Sequence, residues 1–441
     1  MDHKRKLKSR DLYLAKLKGF QDTEPVKVVT GIRRCGKSSL LKLMVQHLKD
    51  SGIKDDQIIE MNFESFDFHN MDAAGFYNYV KARSIPNKRM YLFFDEVQHV
   101  TRWEDVVNAF RVDLDCDIYV TGSNAYMLSS EYSTYLSGRC VEIKMLPLSF
   151  REFIDFYGFH LRESTGAFGE KRKLVSDQDG NPYEIRELFN IYLRYGGMPG
   201  LAETGLNQER AMILLDGIYS TVVVRDILER ETLKNQTRVT DPALLRKIIL
   251  FLADNLGSRI SLSSIGNTLA DEGLVEKKGK RSKPSVITVQ NYVNALIEAY
   301  FFYEIKRFDI RGKEYLRTLG KYYIVDPGLR NYLLGFRDRD RGHILENIVY
   351  FELLRRGYDV SVGKIGTAEV DFVAVKADEK IYFQVTESML DEKVREREIA
   401  ALQKIKDNYP KVILSLEPGF DDSYEGISSV HVLDWMLEPY H

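Results

Sequence analysis

Short runs of strand-like apolar residues alternate, in the first third of the chain, with segments whose apolar positions recur every three or four residues. "VKVVT" (Val26–Thr30), the run Met90–Phe94 and "CDIYVTGSN" (Cys116–Asn124) read as strands. "SLLKLMVQHL" between the first two has helical spacing. Continuous apolar strands separated by helices suit a parallel sheet covered on both faces. From about Leu148 to Arg230 the pattern turns mainly helical, in "PLSFREFIDFYGF", "LFNIYLRYGG" and "VVVRDILER", punctuated by Gly196, Gly197 and Pro199. From Asp241 three further helices are expected. The first is closed by Gly257, the second is capped by Ser261 or Ser263, and the third is capped by Thr288 and runs into a strand. A hairpin around Arg311–Gly312 follows, and the lysine-rich "VEKKGKRSKP" (Val275–Pro284) reads as one exposed loop. "LENIVYFELLRRGYDVSVG" is a helix leading into a strand, and "AEVDFVAVK" and "IYFQVTESM" alternate as strands.

The junction between the first strand and the first helix carries the most specific chemistry. Gly31 to Ser38 reads G-I-R-R-C-G-K-S, which matches G-x-x-x-x-G-K-[ST]. Glycines allow torsions that a Cβ blocks, so backbone N–H groups from Gly31, Ile32, Arg33, Arg34, Cys35, Gly36, Lys37, Ser38 and Ser39 can wrap phosphates. The positive end of the following helix adds to this. Lys37 is expected to reach the β- and γ-phosphates of ATP, and Ser38 to ligate Mg²⁺. Arg33 and Arg34 are candidates for nucleotide contact, contact with a neighbouring copy, or plain solvation.

The second strand ends in Asp95 and Glu96. Ligands of parallel sheets sit beyond the carboxyl ends of strands. Asp95 is therefore a candidate for the Mg²⁺ shell, and Glu96 for polarising the attacking water. Ser123 and Asn124, after the third strand, are candidate γ-phosphate sensors or water-orienting groups, or ordinary turn residues. "NKRM" (Asn87–Met90) lacks the acid of an N-K-x-D guanine-reading motif, which favours adenine.

With these motifs in place, the chain resembles the AAA-superfamily ATPases of bacteria and archaea that carry an uncharacterised C-terminal domain. The matching stretches run from "TGIRRCGKSSLL" and "YLFFDEVQ" through "LSGRCVEIKMLPLSFREF", "YLRYGGMPGL" and "KYYIVDPGLRNYLLG" to "AEVDF". The resemblance implies that the paired arginines are a family habit. It also implies that Arg139 can act on a γ-phosphate, often in a neighbour's site, with a salt bridge inside the chain as the alternative.

Three helices and a hairpin form a winged-helix order. Between Asp241 and Gly335 fifteen Lys and Arg face ten Asp and Glu. Lys277, Lys278, Lys280, Arg281 and Lys283 lie before the third helix, and Lys306, Arg307, Arg311, Lys313 and Arg317 on the hairpin. This footprint suits phosphate contacts with double-stranded DNA, although winged helices also serve as protein scaffolds. The last unit resembles the restriction-endonuclease-like fold, with Glu346 and Asp371 at its acidic positions. Gln384 and Thr386 stand where an active member has Glu and Lys, so an inactive nuclease fold is expected.

Composition adds bounds. Hydrophobic residues make up 44% and charged residues 29% of 441, with a formal net charge of −2, so any nucleic-acid surface is local. Three cysteines without metal or disulfide spacing, and no apolar leader or span of about 18 residues, point to a cytoplasmic protein without a membrane partner. The expected class is α/β, in four units. Residues 1–155 form a P-loop NTPase parallel sheet and 156–235 a helical lid or connector. Residues 236–335 form a winged helix and 336–441 an α/β restriction-endonuclease-like domain. The expected function is Mg²⁺-dependent ATP hydrolysis that switches conformation, with nucleic acid and a homo-oligomer as candidate partners. The alternatives are an ATP-gated regulatory or defence switch recruiting proteins, and an active nuclease.

Overall fold

The computed structural model describes residues 7–123, 138–165, 171–205, 207–229, 239–271, 276–277, 280–281, 283–417 and 423–440. Two compact units are present, Met1–Leu146 with Glu298–Tyr300, and Pro147–Ile297 with Phe301–His441. The first boundary therefore falls at Leu146, short of the expected 155.

The first unit contains α1 (Asp11–Gly19), β1 (Val26–Thr30), α2 (Lys37–Asp50), β2 (Ile58–Asn62) and α3 (Ala73–Lys81). It continues with β3 (Met90–Asp95), α4 (Trp103–Asp113), β4 (Cys116–Gly122) and β5 (Cys140–Lys144). The five strands form one parallel sheet in the order β2-β3-β4-β1-β5. Every residue of β1 and β3 is buried, as a sheet with two covered faces requires. On one face Phe76 packs edge-on against Phe94 and Phe110, with ring centroids 4.7 and 5.4 Å apart. Central β1 also carries a charge. Lys27 pairs with Asp117 of β4, both side chains fully buried, while the Tyr119 hydroxyl and the Asp22 amide each donate to Asp117 at 2.8 Å. Lys27→Met would strand that carboxylate, and is expected to lower stability by about 3–5 kcal/mol in urea unfolding. Adding Asp117→Leu should recover most of the loss, and an additive double variant would argue against the pair.

The second unit begins with α5 (Phe150–Phe156), whose amino end is fixed by a capping box between Ser149 and Glu152. The segment expected to be mainly helical then forms a three-stranded antiparallel sheet, β6 (His160–Thr165), β7 (Lys171–Ser176) and β8 (Pro182–Tyr183). The reason is local: Asp177 accepts from the amides of Asp179 and Asn181 at 3.0 and 2.8 Å, fixing a turn in "DQDGN". Helices resume with α6 (Ile185–Tyr195) and α7 (Gln208–Thr221), the latter continuing as a π-helical stretch, Val222–Glu229.

Next come α8 (Pro242–Asp254), capped by Asp241, and α9 (Leu262–Asp271), where the Ser261 hydroxyl takes the Ser264 amide at 3.0 Å. Short strands β9 (Glu276–Lys277) and β10 (Lys280–Arg281) pair antiparallel, so the expected exposed loop contains a hairpin. In α10 (Val286–Glu298) the cap is Ser285, whose hydroxyl accepts from the Thr288 amide at 3.0 Å; Thr288 lies inside the first turn. The hairpin β11 (Phe302–Asp309) and β12 (Glu314–Ile324) follows as expected, then α11 (Pro327–Leu334) and α12 (Arg341–Arg355).

The rest of the second unit comprises β13 (Asp359–Ile365), β14 (Ala368–Lys376), β15 (Glu379–Ser388), α13 (Glu392–Gln403), β16 (Lys411–Glu417), β17 (Ser423–Tyr424), β18 (Ile427–His431) and α14 (Val432–Leu437). Its eight-stranded sheet has the order β12-β11-β13-β14-β15-β16-β18-β17. Because β11 pairs in parallel with β13, the expected division at 335/336 runs through one hydrogen-bonded sheet. Among the described residues, no helix is long and apolar enough to cross a membrane.

Candidate nucleotide site

The loop after β1 is shaped by steric necessity. Gly31 has φ +142°, and a Cβ there would lie 2.1 Å from the Met145 carbonyl oxygen. Gly36, at φ +106°, turns the chain into α2. Ile32 and Cys35 are fully buried, and burial pushes the Cys35 thiol up. Arg34 is exposed in the left-handed region, at φ +66°. Arg33 is held to Glu64 at 2.8 Å.

The side chain of Lys37 turns back over the loop. Its ammonium donates to the carbonyls of Gly31 and Ile32 at 3.1 and 3.4 Å and lies 3.6 Å from the Glu96 carboxylate. Glu96 follows β3 at φ +53° and is buried. Burial raises its pKa, but Lys37 and the Gln98 amide, 2.5 Å away, hold it below the usual range. Burial pushes Asp95 up, and Glu96 adds to that, against hydrogen bonds from Thr121 and Ser38. The Thr121 hydroxyl is 2.5 Å from Asp95, and the Asn62 amide 3.3 Å. The Glu96 amide donates to the same Thr121 hydroxyl at 2.9 Å.

Lys37, Ser38, Asp95 and Glu96 thus meet at the carboxyl edge of the sheet, with Ser39, the third residue of α2, half-buried. Ser123 is buried just past β4, and Asn124 lies outside the described residues. Arg139 is elsewhere. Its carbonyl accepts from Val26 at the amino end of β1, and its guanidinium meets Asn108 at 3.3 Å. The phosphate loop begins at the other end of that strand, about 16 Å away at 3.3 Å per residue. The guanidinium's partner is thus an amide rather than a carboxylate, and the residue is not among those that meet at the loop. Three contributors were missed in the sequence: Thr121, Asn62 and Arg10. Buried Arg10 donates to the carbonyls of Cys35 and Leu146 at 3.2 and 3.0 Å, tying the loop to the end of β5.

Residues 23–154 match the model of the AAA domain, and residues 186–340 match a domain of unknown function (DUF8612). An uncharacterized protein of Haemophilus influenzae is 38% identical over 434 residues, covering 98% of each chain. An uncharacterized protein of Methanocaldococcus jannaschii is 31% identical, covering 91% of this chain and 84% of its own. The chain belongs to the family of these two proteins. Among solved structures, a Walker-type ATPase of Pyrococcus abyssi is 16% identical at TM-score 0.48, covering 74% of this chain and 95% of that one. The AAA-domain match covers nearly all of the five-stranded parallel unit, whose fold is that of a P-loop NTPase, and it supports ATP binding.

A second polar cluster lies in the eight-stranded sheet. Glu346 on α12 meets Lys321 of β12 at 2.8 Å and also accepts from the Tyr323 hydroxyl; Lys321 reaches Glu369 at 3.0 Å. Burial pushes the Asp371 carboxyl well up, with Glu346 adding and Lys321 opposing. Asp371 accepts the Val385 amide at 2.9 Å. The Gln384 amide donates to Glu398 at 2.7 Å, and Thr386 is buried. A lysine is therefore present, supplied by β12, a strand the nuclease comparison left out. Among the described residues no group of three acidic, His or Cys side chains is arranged to hold a metal ion.

Proposed function

We propose that the first unit hydrolyses ATP with Mg²⁺. What supports this is the convergence of Lys37, Ser38, Asp95 and Glu96 beside a glycine loop that leads into a helix. The oxygen donors Ser38 and Asp95, already hydrogen-bonded to each other, fit a hard cation that keeps most of its water. When bound, Mg²⁺ neutralises charge on the β- and γ-phosphate oxygens. In this reading the γ-phosphate draws Lys37 away from Glu96, and the freed carboxylate orients the attacking water. Ser123, and Asn124 beyond it, sense the γ-phosphate, and hydrolysis relaxes the closure. Arg139, at the amino end of β1, is read as acting in the site of a second copy, with a partner inside its own chain as the alternative, so a homo-oligomer is part of the proposal. A Glu96→Gln chain is expected to bind ATP within a few-fold of wild type and to turn it over about 10²-fold more slowly. Equilibrium binding and phosphate release, with and without Mg²⁺, measure both; wild-type turnover in that variant takes Glu96 out of the mechanism.

For the second unit, three helices followed by a hairpin support a winged helix, and the surplus of basic residues supports contact with double-stranded DNA. The C-terminal sheet reads as an inactive nuclease fold, because Gln384 and Thr386 replace the expected Glu and Lys and Lys321 pairs with both Glu346 and Glu369. The protein is then an ATP-driven cytoplasmic switch with nucleic acid as its partner. A switch that recruits proteins alone is the alternative.

A further inference from the structure

A cleft of about 530 Å³ opens in the second unit among the start of α9, the start of α10 and the β11–β12 hairpin. Arg307 of β11 lines it. The sequence groups this arginine with the basic residues of the hairpin, yet it is only 6% exposed and its Nε is enclosed without a partner. Each other deeply buried arginine among the described residues is matched. Arg10 meets two carbonyls, Arg330 meets Asp340, and Arg355 meets Glu352. Arg330 and Arg355 share an enclosed Nε, but of these arginines only the Arg307 side chain has neither an ion pair nor a hydrogen bond among the described residues. Glu304, on the same wall, faces the Tyr322 hydroxyl at 3.4 Å instead. A buried charge without a counter-charge is costly, so such a residue is explained by an anion that it receives.

The same cleft offers donors. Leu262 and Ser263, the first two residues of ten-residue α9, line the cleft. Their amides have no intrahelical acceptor, whereas the Ser264 amide is already taken by Ser261. Lys306 is exposed at the mouth. A buried guanidinium facing a helix amino end is a site for a tetrahedral oxyanion. We propose that this cleft binds the phosphoryl group of a phosphate ester, through Arg307, the first-turn amides of α9 and Lys306. The group can belong to a nucleic-acid backbone or to a soluble phosphate ester.

The test uses the full chain carrying Lys37→Ala, so that the nucleotide loop is weakened throughout, and two added substitutions, Arg307→Met and Ser263→Pro. Proline is tolerated in a first helical turn and removes one donor. The probes are inorganic phosphate, followed by melting temperature, and a fluorescein-labelled 20-base-pair duplex, followed by anisotropy. In phosphate-free buffer Arg307→Met is expected to melt no lower than its parent. Added phosphate should raise the parent's melting temperature saturably, leave Arg307→Met unmoved and act on Ser263→Pro with about tenfold weaker affinity. Duplex binding weakened about tenfold in Arg307→Met, with a salt slope reduced by about one, assigns the group to a nucleic-acid backbone. Duplex binding unchanged, with the phosphate response lost, assigns it to a soluble ester. An equal phosphate response in the parent and Arg307→Met overturns the proposal. So does no response in either, or an Arg307→Met chain that is merely less stable. None of these outcomes depends on whether the first unit hydrolyses ATP.

Discussion

Alanine at Lys37 is expected to reduce ATP turnover by at least about 10²–10³-fold, the scale of losing one preorganised donor to developing phosphate charge. The geometry adds a second consequence. Lys37 is buried against Glu96, and it is the leading attraction holding that buried carboxylate ionised. Without it, burial acts unopposed on Glu96, and the chain should lose stability as well as rate. The sign is fixed by the depressed pKa of Glu96. Its stabilisation is present above the unfolded value, about 4.3, and is lost as pH falls through the lower folded value. Lys37→Ala should therefore be the less acid-sensitive chain through that window, although less stable at pH 7. Lys37→Ala with Glu96→Gln should regain stability but no turnover, so the two effects separate in a double-mutant cycle. Phosphate release and thermal melting of the four proteins measure it. Wild-type turnover in clean, folded Lys37→Ala would remove this loop from the mechanism.

What the sequence disclosed of this site is what the chain places in one continuous run. The strand, the glycine loop and the helix start from Val26 to Leu48 are local, and so is the acid pair that ends β3. Thr121 and Asn62 are different. They reach Asp95 because β4 and β2 flank β3, with Asn62 in register with Asp95, and strand order is not written in any single segment. Arg139 shows the same limit in reverse. It follows the β4 region in sequence, but β5 lies parallel to β1, so its first residues fall at the edge away from the phosphate loop. Arg307 was read as one of the basic residues on the hairpin, and Lys321, on its second strand, was not singled out. A bulge after Ile305 and pairing with β13 put that hairpin inside a larger sheet, where both are buried. Residues 160–183 escaped because their strands are short and charged, held by turn chemistry rather than by an apolar stripe.

Asp326→Ala is expected to be among the most destabilising single substitutions in the second unit. Two stretches that marked the family resemblance, "YLRYGGMPGL" and "YYIVDPGLRNYLL", interlock through this carboxylate. It accepts the amides of Gly197, Gly328 and Leu329 at 2.6, 2.9 and 3.3 Å, so it caps α11 and pins the turn after α6 at once. Gly196 and Gly328 leave no room for alternatives. A Cβ on the first would lie 2.0 Å from Asp326, and one on the second 1.9 Å from the Tyr195 carbonyl oxygen. Asn331 completes the lock by donating to the carbonyls of Leu193 and Arg194 at 2.8 and 2.9 Å. Three buried amides left without an acceptor, at about 1–3 kcal/mol each, give a loss centred near 6 kcal/mol. Asparagine keeps an acceptor and should cost far less. It also exposes a pH signature, because burial pushes Asp326 up to about 6 against the amides and Arg355 that pull it down. The folded chain then holds a proton that the unfolded chain, near 3.9, has released. Stability must fall as pH rises from about 4 to 6, and stay at the lower level above that. Relative to Asp326→Asn, wild type should lose about 3 kcal/mol over this interval, two pKa units at 1.36 kcal/mol each. Urea unfolding of both chains from pH 4 to 7 reads the difference directly. A flat difference would mean that the carboxyl is ionised throughout and that the three amides, rather than burial, set its charge.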